Sequence, residues 1–165
     1  MMTMKKIKPG SGQESVWDYP RPPKLEKVNK HLKVVFNGRL IADTRNGYRV
    51  LETSHPPAYY FPVADVSTEV LHPVSGGSFC EWKGRARYFD VIVGNRKAEQ
   101  AVWTYEDPND RYSEIAGYFC FYPGKMDACY VDDEKVQAQE GDFYGGWITS
   151  NILGPFKGGQ GTSRW

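Results

Sequence analysis

Residues 31–43, HLKVVFNGRLIAD, place Asn37-Gly38 between two β-rich runs. A two-residue turn of type I′ needs positive φ at both central positions, so Asn-Gly in this setting predicts a β-hairpin. Further turn signals follow at Gly94-Asn95 in YFDVIVGNRKAEQAVWTY, near Pro123-Gly124 in GYFCFYPGKMDACYV, and in YVDDEKV. Together they predict a mainly β protein of antiparallel hairpins, arranged as a meander or as a barrel-like sheet.

Helical periodicity is weak along the chain, and two segments are candidates for one or two short helices. These are PVADVSTEV (62–70) and PNDRYSEIAG (108–117), the second ending at Gly117 as a C′ residue.

A hairpin closed near Pro123-Gly124 would place Cys120 directly opposite Cys129. We expect both to remain thiols in a reducing cytosol.

The length of 165 residues suits one compact domain. Residues 1–30 are predicted to be an extended arm, because YPRPPK places three prolines within four positions. Residues 31–140 form the predicted β domain. Residues 141–165 are rich in glycine but carry aromatic rings, so we expect this tail to pack on the domain or on a second copy in a homodimer.

Composition narrows the classes of partner. Lys and Arg total 21 against 20 Asp and Glu, and the formal net charge of +1 gives no global field that would attract nucleic acid or an anionic membrane. No apolar run reaches about 18 residues, and no apolar segment follows the lysines of MMTMKKIK. The expectation is a cytoplasmic protein with no membrane or nucleic-acid partner.

Metal and cofactor signals are weak. The three cysteines contain no C-x-x-C pair, and the three histidines, His31, His55 and His72, have no metal-ligand spacing. KGGQGTS (157–163) resembles a phosphate-binding loop, but Thr162 stands where the essential lysine would be. We therefore predict neither a metal nor a cofactor.

A second motif suggests nucleotide chemistry. GGS (76–78) followed by Asp90 is similar to the Gly-Ser turn and carboxylate pair of nucleotidyltransferases, in which two carboxylates hold divalent ions. Ile92 occupies the position of the second carboxylate. A two-residue turn at Gly94-Asn95 would instead place Glu99 opposite Asp90, which leaves metal-dependent nucleotidyl transfer as an alternative.

Two further segments contain candidate site residues. In ETSHPPAYYFP (52–62), adjacent tyrosines must point to opposite sides of a strand, so one of them can face a pocket. His55 is interpreted as a structural loop residue. In SFCEWKG (78–84), Cys80 lies three residues before Lys83; we favour Lys83 as a ligand-contacting cation, with Cys80 as a nucleophile the alternative.

Taken in order, ESVWDYPRPP, ETSHPPAYYFP, FCEWKGRARYFDV, AVWTYEDP and IAGYFCFYPGKMDACYVD resemble the DUF427 family, a domain of unknown function that has sometimes been labelled nucleotidyltransferase-like. The resemblance covers about residues 14–136. It implies a compact, mainly β domain whose motif residues gather at one pocket. By position these candidate ligand-binding residues are Glu52, Tyr60, Cys80, Lys83, Tyr88, Trp103 and Tyr118.

The leading hypothesis is an aromatic-lined cleft that uses Lys83 and Glu52 to bind or act on a small polar or anionic metabolite. Lys83 and the Tyr88 hydroxyl should face this cleft, with Cys80 supporting the turn. A protein-interaction or homodimerisation module, in which exposed rings bind a partner, is the alternative from a different class. Catalytic residues are not assigned.

Overall fold

The computed structural model describes residues 5–141 and 143–165, and this part of the chain contains sixteen β-strands and five short 3₁₀-helices. The strands are β1 (Glu14–Ser15), β2 (Lys24–Lys27), β3 (Leu32–Phe36), β4 (Arg39–Thr44), β5 (Tyr48–Leu51), β6 (Ala58–Phe61), β7 (Leu71–Pro73), β8 (Ser78–Cys80), β9 (Gly84–Val93), β10 (Arg96–Thr104), β11 (Phe119–Phe121), β12 (Ala128–Val131), β13 (Glu134–Lys135), β14 (Gln137–Ala138), β15 (Trp147–Ile148) and β16 (Ile152–Leu153). The 3₁₀-helices are Val16–Asp18, Val63–Asp65, Thr68–Val70, Asp110–Ile115 and Pro123–Lys125.

The large sheet has the strand order β2-β5-β6-β11-β10-β9-β7, and β8 pairs with β9 beside β7. Its neighbouring strands are all antiparallel, as the hairpin-rich sequence predicts. Strands β9, β10 and β11 form a meander, whereas β6 joins it from an earlier part of the chain. Among the described residues the sheet remains open, with β2 and β7 at its edges, so the barrel-like alternative is not what forms.

A smaller sheet of order β13-β12-β3-β4 shares one buried apolar cluster with the large sheet. Alternate residues of β3, Leu32, Val34 and Phe36, are buried in this cluster, and β6 contributes Tyr59 and Phe61 from the other sheet. Period-2 alternation therefore makes the two sheets into a sandwich with the main core between them. The opposite face of the large sheet is left to carry a second, aromatic cluster.

Three predicted hairpins are confirmed. Phe36 pairs with Arg39 around Asn37-Gly38, whose φ values of 49° and 73° are the positive values that the turn requires. Val93 pairs with Arg96 around Gly94-Asn95, and Val131 pairs with Glu134 in YVDDEKV. The two short helical segments are also confirmed as 3₁₀-helices, and Gly117 follows the second with a φ of 76°.

The hairpin expected at Pro123-Gly124 is wrong. The 3₁₀-helix Pro123–Lys125 carries the chain from β11 in the large sheet to β12 in the small one. Cys120 lies opposite Tyr60 and Trp103, while Cys129 lies opposite Val34. Both strands already have two partners, so the pairing of Cys120 with Cys129 is lost. A Pro-Gly pair is therefore compatible with a hairpin turn and with a connection that crosses from one sheet to another, and here it lies in such a connection.

The prediction that Glu99 lies directly opposite Asp90 is also wrong. The β9–β10 register shifts between Ala98 and Val102, which marks a β-bulge, and Gln100 within it has a φ of 47°. Asp90 Oδ1 accepts a hydrogen bond of 2.8 Å from the Gln100 N–H. Lys97 Nζ lies 3.5 Å from Asp90 Oδ2 and 4.0 Å from Glu99 Oε1, so a cation of this chain already contacts both carboxylates.

Both terminal regions pack on the sandwich. β1 pairs in parallel with β16, and β2 is an edge strand of the large sheet. Trp147 is completely buried in the main core, whereas Phe156 and Trp165 are half-buried. Residues 1–4 of the predicted arm and residue 142 of the predicted tail lie outside the described residues. No described helix is long and apolar enough to cross a membrane.

Candidate functional site

A cavity of about 330 Å³ opens on the face of the large sheet that is turned away from the sandwich core. Strand alternation determines which side chains reach it. Tyr60 lines the cavity while Tyr59 and Phe61 are buried in the core, and Tyr88 lines it while Phe89 packs on the core side. The volume lies at the lower end of the range for small-molecule pockets.

Six of the seven sequence-predicted residues line this cavity: Glu52, Tyr60, Cys80, Lys83, Tyr88 and Trp103. The structure places the seventh, Tyr118, elsewhere. Its ring makes an edge-to-face contact of 5.8 Å with Tyr48, and neither ring is part of the cavity lining.

The floor of the cavity is a buried aromatic group centred on Trp103. Its indole Nε1–H donates a 3.2 Å hydrogen bond to the hydroxyl of Tyr60, and its ring centroid lies 4.7 Å from that of Tyr122. Burial raises the pKa of Tyr60, Tyr105 and Tyr122 above the ordinary value, so these hydroxyls are neutral at physiological pH. The floor is therefore apolar and uncharged, with hydroxyl groups as its polar atoms.

Lys83 lies in the turn between β8 and β9, and Asn109 stabilises this turn through two hydrogen bonds. The Asn109 N–H donates to the carbonyl of Lys83 at 3.0 Å, and its side-chain amide donates to the carbonyl of Trp82 at 2.6 Å. Lys83 Nζ lies 5.8 Å from the centre of the Tyr105 ring. Beside it, the Tyr88 hydroxyl and Ser78 Oγ share a 2.8 Å hydrogen bond. The turn therefore contributes a cation to the cavity lining, and the two strands that it joins contribute Ser78 and Tyr88.

A second lysine reaches the cavity from the C-terminal segment. Lys157 lines it, with Nζ 5.9 Å from the centre of the Tyr144 ring. Neither Lys83 nor Lys157 forms a salt bridge with any carboxylate of the described residues. Among residues 5–141 and 143–165, the carboxylates that line the cavity are those of Glu52 and Glu81.

His55 also lines the cavity, although its sequence setting suggested a structural loop residue. Its Nδ1 lies 3.1 Å from the side-chain nitrogen of Gln139, which also donates to the carbonyl of Lys157 at 2.6 Å. Burial, and secondarily the charges of Lys157, Lys83 and Arg21, lower the pKa of His55 to about 4. The imidazole is therefore neutral at physiological pH.

Two glycines allow the C-terminal segment to approach the cavity floor. A Cβ atom at Gly145 would lie 2.3 Å from Trp103 Cη2, and one at Gly146 would lie 2.4 Å from Pro56 Cγ. Both separations are too short for any larger residue without movement. The glycine pair therefore seats the segment that brings Tyr144 and Lys157 to the cavity.

A family model for a domain of unknown function, DUF427, matches residues 24–132. This chain belongs to the DUF427 family. No curated protein matches it. The six predicted residues that line the cavity all lie within the matched part of the DUF427 domain, whereas Gln139, Tyr144 and Lys157 come from beyond it.

No local motif marks these three residues, so they could not be recognised as site residues from the sequence. The aromatic rings in the glycine-rich segment indicated packing but not a contribution to the site. Tyr105 and Tyr122 were not among the predicted site residues either. Tyr105 follows Trp103 by two positions and shares its face by alternation, whereas the pairing of β10 with β11 brings Tyr122 beside Trp103.

A metal site and a phosphate-binding loop are the two alternative chemistries that the sequence motifs of this DUF427 chain raise. Among residues 5–141 and 143–165, no group of three His, Cys, Asp or Glu side chains is placed to hold a metal ion. In KGGQGTS, the Gly158 N–H donates to Thr162 Oγ1 at 2.9 Å, and that hydroxyl donates to the carbonyl of Gly159 at 2.7 Å. The Gly158 N–H is therefore used in a hydrogen bond within the loop. In a phosphate-binding loop, by contrast, the backbone N–H groups face the ligand.

Proposed function

We propose that this DUF427 domain is a cytoplasmic protein that binds, or acts on, a small polar or anionic metabolite in the aromatic cavity. The supporting observation is the placement of Lys83 and Lys157. Both line the same cavity, and neither is neutralised through a salt bridge by a described carboxylate. A partly desolvated cation without a counter-ion favours a ligand that supplies the opposite charge.

The aromatic floor supports the same proposal, because it can contact the part of the ligand that carries no charge. Trp103, Tyr122 and Tyr60 offer ring surface for the apolar or planar part of a metabolite, while Ser78 and Tyr88 offer hydroxyls. Small-molecule sites typically combine such an apolar lining with a few converging polar groups. Glu52 is then available to accept a hydrogen bond from a ligand hydroxyl or amine.

One observation favours a second candidate, a protein-interaction or homodimerisation module. Phe79 and Phe143 line the cavity yet are 73% and 66% exposed. Large exposed rings at a cavity rim can pack against a partner's surface. This alternative predicts that replacing Phe79 and Phe143 by Ser lowers the mass of the assembly in solution, whereas the leading proposal predicts no change in that mass.

A thermal-shift screen of metabolites and nucleotides, with and without magnesium, tests the leading proposal. A ligand that binds the folded state raises the melting temperature by an amount that grows with the logarithm of its free concentration relative to its Kd. We expect hits among anionic compounds, and we expect Lys83→Ala and Lys157→Ala to abolish the shifts while costing less than about 1 kcal/mol of stability.

Lys135→Ala is the matched control, because it removes one positive charge from exposed strand β13, outside the cavity. The Lys135→Ala variant should bind every hit as the wild type does. If Lys83→Ala and Lys157→Ala retained full binding, or if cationic compounds were the sole hits, the proposal would be refuted.

A further inference from the structure

The side-chain amide of Gln139 fixes the tautomer of His55. The Gly146 N–H donates to Gln139 Oε1 at 3.1 Å, which identifies the oxygen end of the amide. The nitrogen end therefore faces His55 Nδ1 at 3.1 Å and donates to it. A neutral imidazole that accepts through Nδ1 carries its proton on Nε2.

The Nε2–H of His55 is left available to a ligand. This nitrogen has no hydrogen-bond partner among the described residues, and it is not among their fully buried, unsatisfied polar atoms. Because His55 lines the cavity, the free N–H is accessible from it. The His55 ring is held by Tyr144, with a centroid distance of 4.9 Å. The donor is therefore both accessible and restrained.

Two lysine side chains accompany His55 in the lining of the cavity. Lys157 contacts the same Tyr144 ring that packs on His55. Lys83 and Lys157 are close enough to disfavour a positive charge on the imidazole. Arg21, the third cation near His55, is engaged by the carbonyls of Thr53 and Trp165, each 3.3 Å away, and does not line the cavity.

Resting on the proposed function, we propose that His55, Lys83 and Lys157 form an oxyanion subsite in which the imidazole Nε2–H donates to a phosphate or carboxylate oxygen of the ligand. The two ammonium groups supply the opposite charge. The neutral imidazole supplies a directional hydrogen bond without adding a third positive charge. The aromatic floor at Trp103 then receives the ring or apolar group that carries the oxyanion.

The first part of the test needs no ligand. Nitrogen-15 NMR of the His55 ring in the free protein should show a neutral Nε2–H tautomer from about pH 6 to 8. Gln139→Leu removes the donor to Nδ1 and should let the two tautomers mix. Observation of the Nδ1–H tautomer in the wild type would overturn the proposed subsite, because its donor would then point at Gln139.

The second part uses phenyl phosphate and benzoate as probes, since each joins a ring to one of the two oxyanions. His55→Leu removes the donor, whereas His55→Gln keeps an amide N–H near the position of Nε2. A hydrogen bond to a charged group corresponds to about a tenfold or larger change in affinity. We expect His55→Leu to weaken binding by at least that factor and His55→Gln to restore most of it.

The probe that binds more tightly assigns phosphate or carboxylate as the ligand group. The inference is overturned if neither probe binds the wild type, or if His55→Leu binds them as tightly as the wild type does. The general proposal fails on different evidence, namely metabolite hits that are insensitive to Lys83→Ala and Lys157→Ala. Hits that depend on both lysines but not on His55 would retain the cavity function and reject the subsite.

Discussion

Gly145 lies against the edge of the Trp103 indole, so closely that a Cβ atom at residue 145 would be 2.3 Å from Trp103 Cη2. Gly145→Ala should therefore displace the C-terminal segment from the cavity floor and destabilise the fold by about 1–3 kcal/mol, as overpacking does in other proteins. Urea denaturation measures the change. Gly124→Ala is the control, because its Cβ would lie at an ordinary 3.5 Å from Ala138 Cβ. Equal midpoints for the two variants would contradict the close contact.

Trp147 anchors the same segment in the main core. It has no exposed surface, its Nε1–H donates to the carbonyl of Phe121 at 3.0 Å, and its ring lies 5.1 Å from that of Tyr59. Trp147→Ala should cost about 3–5 kcal/mol of unfolding free energy, since it removes a buried aromatic side chain. Phe143→Ala, at a 66% exposed position of the same segment, should change the free energy little. Thermal denaturation of both variants would decide, and a small effect at Trp147 would show that the segment is dispensable.

His55 makes stability depend on pH in a defined window. Its pKa is about 4 in the folded protein against an ordinary value of 6.5, so the unfolded chain binds the proton more readily. Stability is therefore fully present above about pH 6.5 and declines as the pH falls toward 4, by on the order of 3 kcal/mol. His55→Gln should remove this component. Parallel curves for the two proteins between pH 7 and 4 would rule out the shift.

The three cysteines should differ in reactivity. Cys80 is half-buried at the cavity, whereas Cys120 and Cys129 are at most 1% exposed, and burial raises the pKa of both. The thiolate is the reactive form, so buried, protonated thiols react slowly. Titration of the native protein with a thiol reagent should modify one cysteine rapidly, and all three after unfolding. Cys80→Ser should abolish the rapid phase; two rapid thiols in the native protein would contradict the burial.

Local patterns made the hairpins predictable, because a two-residue turn and its flanking strands are adjacent in the sequence. Asn37-Gly38 and Gly94-Asn95 specify their turns through backbone conformation alone. The crossing at Pro123 could not be recognised in this way. Whether β11 turns back on itself or passes to the other sheet depends on strands that lie fifteen or more residues away along the chain.

The candidate site likewise contains residues whose direction the local pattern predicts and residues that only distant contacts bring to the cavity. Alternation along β6 and β9 predicts that Tyr60 points away from Tyr59 and Phe61, and Tyr88 away from Phe89. That Tyr60 and Tyr88 share a face follows from the pairing of Tyr60 with Cys120, of Cys120 with Trp103 and of Trp103 with Tyr88. Gln139 and Lys157 could not be predicted, because they reach the cavity through a segment seated by contacts with Trp103 and Pro56. The bulge at Gln100 is a further example: a two-residue turn alone predicts an unbroken register.

The division of β6 between two faces means that this strand should accept substitutions but not changes in length. Tyr59 and Phe61 belong to the core, while Tyr60, between them, belongs to the cavity. Inserting or deleting one residue inside the strand would exchange the two sets, sending Tyr60 toward the small sheet and a core ring toward the cavity. Evolution can therefore adjust the cavity wall and the core separately through point mutations. An insertion or deletion here would damage both at once, so length variation should be confined to the loops on either side of the strand.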